Sequence, residues 1–162
     1  MSNLITQEFG SWIFLGELII NRELSYDVPF NTDLCGTCNL CIDECPTDAI
    51  VEPYKLDSNK CISYVTIEHR DEFEVDNMID LNDWIFGCDI CQEVCPWNIK
   101  FSEFSNEEDF SDKNMLREKD YNFWNNLSEE EFRKIFKNSA VKRTKYPGLK
   151  RNISTAKQQK GI

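Results

Sequence analysis

Residues 35–46 have the sequence CGTCNLCIDECP. Two residues lie between Cys35 and Cys38, and two between Cys38 and Cys41, so these three thiolates on one turning segment can each reach a different iron of one 4Fe–4S cubane. The fourth cysteine lies four positions after the third and is expected on a helix that points it toward a second cubane. The proline that follows has no backbone N–H and redirects the chain. This pattern predicts a pair of iron–sulfur clusters.

A second run of cysteines supplies the remaining ligands. Residues 87–96 have the sequence GCDICQEVCP, and Cys61 lies 27 positions before the first cysteine of that run. In two-cluster bacterial ferredoxins the fourth cysteine of each run completes the other cluster, and this rule uses all eight cysteines of the chain. One predicted set is Cys35, Cys38, Cys41 and Cys95, and the other is Cys61, Cys88, Cys91 and Cys45. The insertion between Cys61 and Cys88 is expected to cover a partner or cofactor beside the second cluster.

Zinc is the competing metal, because two four-cysteine zinc sites would also use eight thiols. Zinc sites need neither a triple run of cysteines nor a proline after each last cysteine, so the motif favours iron. The N-terminus has neither the basic flank nor the cleavage site of a secretory signal. The longest apolar run, Trp12–Ile20, is far shorter than the roughly 20 residues of a membrane span. We therefore expect a cytoplasmic protein without membrane contact, whose thiols bind metal instead of forming disulfides.

The charge of the chain is divided unevenly along its length. The 162 residues carry a net charge of −11, but the segment from Phe132 to the end holds ten Lys and Arg and no acidic residue. The preceding residues hold 8 basic and 29 acidic side chains. Such asymmetry is typical of a basic tail that binds a polyanion. Charge alone leaves two alternatives open, which are a solvated basic helix and a tail that docks on the acidic body of its own chain.

The sequence divides into four sections. They are an apolar section with a buried strand at Trp12–Ile20 (1–30), the cysteine domain (31–100), an acidic and aromatic connector whose aromatics pack onto a neighbouring surface (101–127), and a basic helical section (128–162). Ser128 with Glu131 forms a capping-box pattern that predicts a helix at 129–138. A second short helix is expected at 139–145, ended by Pro147-Gly148, and a third at 149–158. Because a strand buried on both faces needs layers on both sides, we expect that the chain begins inside a larger domain or that another chain completes it.

Beyond the cysteines, the residues resemble the epoxyqueuosine reductases, which are cobalamin-dependent iron–sulfur enzymes of tRNA modification. The resembling stretches are EFGSW (8–12), FLGE (14–17), CGTC (35–38), CPTDAI (45–50), CISY (61–64), TIEH (66–69), GCDICQ (87–92), CPWN (95–98), SAVKR (139–143) and GLKRN (148–152). They cover nearly the whole chain in order. The resemblance fits the cysteine spacings, including the displaced Cys61.

The resemblance implies an α+β fold and a specific reaction. A bacterial ferredoxin-like double-cluster module is preceded by a remnant of an α/β cobalamin-binding domain and followed by a short HEAT-like helical segment. The family reduces epoxyqueuosine to queuosine at the tRNA wobble position, with electrons from an external donor passing through two 4Fe–4S clusters to cobalamin. Reduced cobalt attacks the epoxide while an acid protonates the departing oxygen. The acid precedes the matching part of the family, so we assign no catalytic residue here. Either the cobalamin domain lies in a longer frame, or a separate chain supplies it, or the chain has lost the activity.

The resemblance also implies two further sets of contacts. The cobalamin set is Ile5, Thr6, Gln7, Gly16, Ser63, Cys88 and Asp89, and the tRNA set is His69, Arg70, Lys142, Arg143 and Lys145. Taken without the family, Ser63 would bond a backbone carbonyl, Gly16 would mark a strand bulge and His69 would be an ordinary surface residue. Tyr146, which could stack on an RNA base, is predicted to be a core residue at a helix end.

Three other functions remain open on the sequence. A stand-alone two-cluster electron carrier would need neither the basic tail nor residues 1–20. A reductive dehalogenase-like cobalamin enzyme would leave that tail unexplained. A zinc-bearing RNA-binding module would have no redox chemistry.

Overall fold

The computed structural model describes residues 3–73, 78–112 and 114–161. Seven helices and two strands form its regular structure in these ranges. The helices are α1 (Leu40–Asp43), α2 (Ile62–Ile67), α3 (Ile90–Glu93), α4 (Pro96–Phe101), α5 (Tyr121–Asn126), α6 (Glu129–Ile135) and α7 (Lys145–Lys160), and the strands are β1 (Ile50–Glu52) and β2 (Lys55–Leu56). Short 3₁₀ helices lie at Ser58–Lys60, Glu108–Phe110, Leu116–Glu118 and Ala140–Thr144. The content is α+β, as predicted.

The two cysteine runs fold in the same way. Helix α1 carries Cys41, helix α3 carries Cys91, and the two helices pack against each other. Helix α1 also contacts β1, which pairs antiparallel with β2. The expectation that the fourth cysteine of the first run lies on a helix is wrong, because α1 ends at Asp43 and Cys45 lies beyond it. Cys95 of the second run has extended backbone angles and precedes α4. The following proline disfavours the helical conformation of the residue before it.

The insertion between Cys61 and the second run forms a small core of its own. Ile62 and Val65 of α2 are buried against Leu81. Phe73, Ile79 and Trp84 are among the partly buried side chains that pack around them. The insertion therefore folds back over α2.

No helix in the described ranges combines the length and the apolar character that a membrane crossing needs.

The basic section forms a second core with the end of the connector. Leu127, Phe132, Phe136, Leu149 and Ile153 are buried together, and Phe123 and Trp124 pack against them. Tyr146 joins this cluster, and its hydroxyl donates to the carbonyl of Leu127 at 3.0 Å. The prediction that Tyr146 is a core residue is therefore confirmed.

Two expectations about the C-terminal helices need correction. Pro147-Gly148 does not end a helix, because α7 begins at Lys145 and continues through both residues to Lys160. Pro147 lies in the first turn of α7, where a backbone N–H has no partner within the helix and its loss costs little. The predicted third helix at 149–158 is the continuation of α7. The predicted short helix at 139–145 is a 3₁₀ helix over Ala140–Thr144.

The predicted buried strand at Trp12–Ile20 is wrong. These residues form no strand in the described structure, and Phe14, Leu18 and Ile19 are 89%, 92% and 100% exposed. An isolated strand leaves its backbone N–H and C=O groups unpaired, so an apolar sequence alone does not create one. The connector prediction holds only in part: Phe110 stacks on Phe14 with 5.9 Å between ring centroids, whereas Phe104 is exposed.

The predicted capping box at the start of α6 is confirmed. The Ser128 hydroxyl accepts a hydrogen bond from the Glu131 N–H at 3.2 Å, and the Glu131 carboxylate accepts one from the Ser128 N–H at 2.9 Å. We expect Ser128→Ala to lower the free energy of unfolding by about 1 kcal/mol, because the cap would lose its acceptor. Urea unfolding checks this result against Ser154→Ala, at an exposed position on α7. Equal effects of the two substitutions would contradict it.

Candidate iron–sulfur centre

Two cavities divide the eight cysteines into two groups of four. A cavity of about 110 Å³ is lined by Cys35, Cys38, Cys41 and Cys95. A second cavity of about 140 Å³ is lined by Cys45, Cys61, Cys88 and Cys91. The structure thus brings together the two predicted sets, with the fourth cysteine of each run at the cavity of the other. We call them the first and the second cavity.

The donor set and the size of the cavities fit 4Fe–4S clusters. Four cysteines line each cavity, and cysteine thiolates are the ligands of such clusters. Four sulfur atoms at about 2.3 Å from a single zinc ion would close around it, whereas these cavities leave room for a larger group. Apolar side chains such as Leu34, Leu40 and Trp97 complete the first cavity and limit the access of water.

The protein environment acts differently on individual thiols. Burial, with a smaller effect from the neighbouring cysteines, raises the pKa of Cys91 to about 11. Cys91 is therefore protonated at neutral pH without metal, and metal binding must release its proton. Burial also acts to raise the pKa of Cys45, but hydrogen bonds from the backbone N–H groups of Ile50, Thr47 and Ala49 outweigh it and lower that pKa. The Ala49 N–H lies 3.3 Å from the Cys45 sulfur.

Residues 3–13 are attached to the second cysteine run through Asn98. This side chain is 2% exposed, and its Nδ2 donates to the Ser11 hydroxyl at 2.9 Å and to the Gln92 carbonyl at 2.7 Å. Its Oδ1 accepts from the Ser11 N–H. Gly10 has a φ of +69°, and a Cβ there would collide with Asn98. The EFGSW and CPWN stretches therefore meet in space.

Asn3 is a site residue that the sequence did not reveal. Its Nδ2 donates to the carbonyl of Cys91 at 3.0 Å, and the residue lines both cavities. A lone asparagine far from the cysteine runs has no spacing that could have indicated this position.

The predicted cobalamin contacts lie in different environments. Ile5 lines the first cavity and Cys88 the second, while Thr6 closes a turn through hydrogen bonds to Gly10. Gln7 and Asp89 are exposed, and Gly16 faces open space without a strand around it, so it marks no strand bulge. The Ser63 hydroxyl makes no hydrogen bond to any described residue, contrary to its expectation as an ordinary helix hydroxyl.

Two of the predicted tRNA contacts, Arg70 and Arg143, meet at Glu68, the residue that follows α2. Arg143 forms an ion pair with Glu68, and Arg70 lies 3.8 Å from the same carboxylate. The hydrogen bond from Arg143 lowers the pKa of Glu68, so this carboxylate stays charged. Lys142 and Lys145 are exposed beside Arg143. We call Arg70, Lys142, Arg143 and Lys145 the basic patch. His69, next to it, stacks on Phe73 with 5.7 Å between ring centroids.

Part of the basic section contacts the acidic body of its own chain. Besides the Arg143–Glu68 pair, Lys160 lies 2.8 Å from the Asp83 carboxylate. Arg151 is 9% exposed and donates to the backbone carbonyls of His69 and Asp71. Docking of the tail on its own chain therefore accounts for some of the positive charge. The exposed lysines are the part of that charge that fits the binding of a polyanion.

Known proteins are similar to this chain along nearly its whole length. A family model described as a 4Fe-4S double cluster binding domain matches residues 34–98. An epoxyqueuosine reductase of Cellulophaga algicola is 52% identical over 159 residues, which are 96% of this chain and 50% of that protein. Along nearly its whole length, this chain is similar to one half of an epoxyqueuosine reductase. An epoxyqueuosine reductase of Leadbetterella byssophila is 48% identical over 157 residues, covering 97% of this chain and 50% of the relative.

A solved epoxyqueuosine reductase has a similar structure. This crystal structure with a tRNA-Tyr epoxyqueuosine-modified tRNA stem loop is 29% identical, with a TM-score of 0.84, over 96% of this chain and 40% of that chain. The chain spans about half the length of the curated epoxyqueuosine reductases that it matches. The match includes the basic section and the first residues, both of which a stand-alone electron carrier would not need.

Proposed function

We propose that this chain provides the electron-transfer part of an epoxyqueuosine reductase, which reduces epoxyqueuosine to queuosine at the wobble position of tRNA. The crossed lining of the two cysteine cavities is the observation that carries the proposal. Each run contributes a ligand to the cavity of the other, and this arrangement is characteristic of paired 4Fe–4S clusters. When bound, such clusters transfer one electron at a time.

The residues of this chain would hold and shield the clusters. Eight thiolates would bind iron, and the backbone around Ala49 supports the charged form of Cys45. Apolar side chains at the first cavity keep water from the sulfur ligands. Cluster potential depends on hydrogen bonds to sulfur and on exposure to solvent, so these contacts would set the potential at which electrons leave the chain toward cobalamin.

Cobalamin is proposed as the cofactor that would accept these electrons, which an external donor would supply to the clusters. The proposed contacts are Ile5, Thr6, Gln7, Gly16, Ser63, Cys88 and Asp89. Ser63 and Asp89 are each close in sequence to a cysteine of the second cavity, and neither side chain makes a hydrogen bond to a described residue, which suits contacts to a bound ring. In this assignment, residues 1–30 form the end of a cobalamin-binding domain, residues 31–100 the cluster domain, and residues 128–162 the beginning of a helical repeat. The remainder of the cobalamin-binding domain would come from the same polypeptide or from a separate chain.

The basic patch is proposed to bind the tRNA backbone. Lys and Arg side chains neutralise phosphates and position a nucleic acid without reading its sequence. Arg70 and Arg143 share the Glu68 carboxylate, which would compete with phosphate for them. His69, the residue before Arg70, lines a cavity of about 230 Å³ that Tyr64 and Phe73 also line. A base unstacked from the anticodon loop could pack against these rings.

Analysis of tRNA nucleosides tests the proposed function in the source organism. We expect that loss of this chain leaves epoxyqueuosine in tRNA in place of queuosine, because no electrons reach the epoxide. Expression of the wild-type chain should restore queuosine, whereas a Cys88→Ala variant, which lacks a ligand of the second cavity, should not. Mass spectrometry of digested tRNA gives the ratio of the two nucleosides. An unchanged queuosine level after loss of the chain would refute the proposal.

A further inference from the structure

Two ligands of the second cavity are held on separate parts of the chain. Cys61 precedes the first residue of α2, and Cys88 follows Gly87 at the other end of the insertion. In the first run, neighbouring cysteines are held by one local turn. Across a longer connection, the entropy cost of bringing the ends together grows with length. Some other contact must therefore fix the distance between Cys61 and Cys88.

Thr66 supplies a direct link between these two parts. It is fully buried in the last turn of α2, and its hydroxyl donates to the Ile62 carbonyl at 2.7 Å. The same hydroxyl accepts a hydrogen bond from the Gly87 N–H at 2.9 Å. Gly87 has a φ of +76°, a conformation that glycine adopts without strain. One hydroxyl thus joins the helix that begins after Cys61 to the residue before Cys88.

Helix α7 adds a second link through Asn152, which is also fully buried. Its Nδ2 donates to the Thr66 carbonyl at 2.8 Å and to the Ile85 carbonyl at 2.9 Å. The Arg151 guanidinium holds the Asn152 Oδ1 at 2.9 Å and donates to the Val65 carbonyl at 3.0 Å. The amide of Asn152 is therefore fixed in the orientation that bridges the two segments.

We propose that Thr66 and Asn152 are positioning residues that hold Cys61 and Cys88 at the separation the second cluster requires. They act through the backbone of α2 and of residues 85–87, without contacting the cluster. Outer hydrogen bonds of this kind commonly orient metal ligands. Through Asn152, the basic section thereby supports the cluster site without being part of it. This inference rests on the proposed binding of two 4Fe–4S clusters.

The test compares Thr66→Val with Thr66→Ser in the full chain, loaded anaerobically with ferrous iron and sulfide. Valine keeps the shape of threonine and removes the hydroxyl, whereas serine keeps the hydroxyl. We expect the wild type and Thr66→Ser to hold about eight irons, and Thr66→Val about four. Thr155→Val is the matched control, because Thr155 is a buried threonine of α7 outside this network. Asn152→Ala gives an independent measurement in which the Thr66 hydroxyl remains.

Spectroscopy separates positioning from general loss of structure. Two reduced clusters close together broaden each other's electron paramagnetic resonance signals, so we expect the Thr66→Val spectrum to simplify to that of one isolated cluster. Circular dichroism should show an unchanged helix content. Full iron in both Thr66→Val and Asn152→Ala would overturn the inference, and so would equal loss of both clusters. A wild-type chain that takes up no iron would instead refute the proposed function.

Discussion

Replacing Cys45 by alanine should remove the second cluster and leave the first, although Cys45 belongs to the first cysteine run. Cys45 lines the second cavity with Cys61, while its neighbour in sequence Cys41 lines the first. We therefore expect Cys45→Ala to lower the iron content from about eight to about four per chain. Iron and sulfide analysis after anaerobic reconstitution measures this loss.

Double variants identify which cluster each cysteine serves. If Cys45 and Cys61 bind the same cluster, the variant lacking both should still hold about four irons, because the second loss adds nothing. The variant lacking Cys45 and Cys41 should hold almost none, since each cluster then lacks a ligand. The reverse pattern would show that each run binds its own cluster and would refute the crossed arrangement.

Reversing two charges of the basic patch should weaken tRNA binding strongly. Lys142 and Lys145 are exposed, and Lys142→Glu with Lys145→Glu replaces attraction to phosphates by repulsion. We expect the affinity at moderate salt to fall roughly tenfold to a hundredfold, and the salt dependence to become shallower by about two phosphate contacts. Fluorescence anisotropy with a labelled tRNA stem loop gives both quantities.

The chain offers a matched control and a change in the opposite direction. The double variant Lys55→Glu with Lys60→Glu alters the net charge equally, but these residues lie in β2 and in the 3₁₀ helix Ser58–Lys60. Its effect should therefore be much smaller. Glu68→Gln should tighten binding, because it removes a negative charge and releases Arg143 for phosphate. If the patch and control variants weaken binding equally, attraction to the total charge explains the result and the patch is not the binding site.

The division of the eight cysteines between two cavities could be predicted because the chemistry of paired clusters requires a fixed spacing. Thiolates on neighbouring irons need short, regular intervals, and the proline after each last cysteine marks where the run ends. The capping box at Ser128 was equally visible, since its two partners are three residues apart. Patterns that close within one turn of chain can be recognised in the sequence itself.

The polar residues around the ligands could not be predicted in this way. Asn152 bonds carbonyls 67 and 86 residues earlier in the chain, and Asn98 bonds Ser11 87 residues earlier. Such contacts exist only after folding, and a single asparagine has no periodicity. The prediction of a strand at Trp12–Ile20 was wrong for another reason. The composition of these residues favours a strand, but a strand also needs a hydrogen-bonding neighbour, which composition cannot reveal.

Because the lining of the two cavities is crossed, each bound cluster would be a covalent cross-link between distant parts of the polypeptide. Once loaded, each cubane would tie the first cysteine run to the second, and either tie alone would keep the runs from separating. Oxidative destruction of both centres would release these ties together. Loss of both clusters to oxygen would then leave the two cysteine runs without cross-links. Cellular proteases would degrade the resulting, less tightly folded chain.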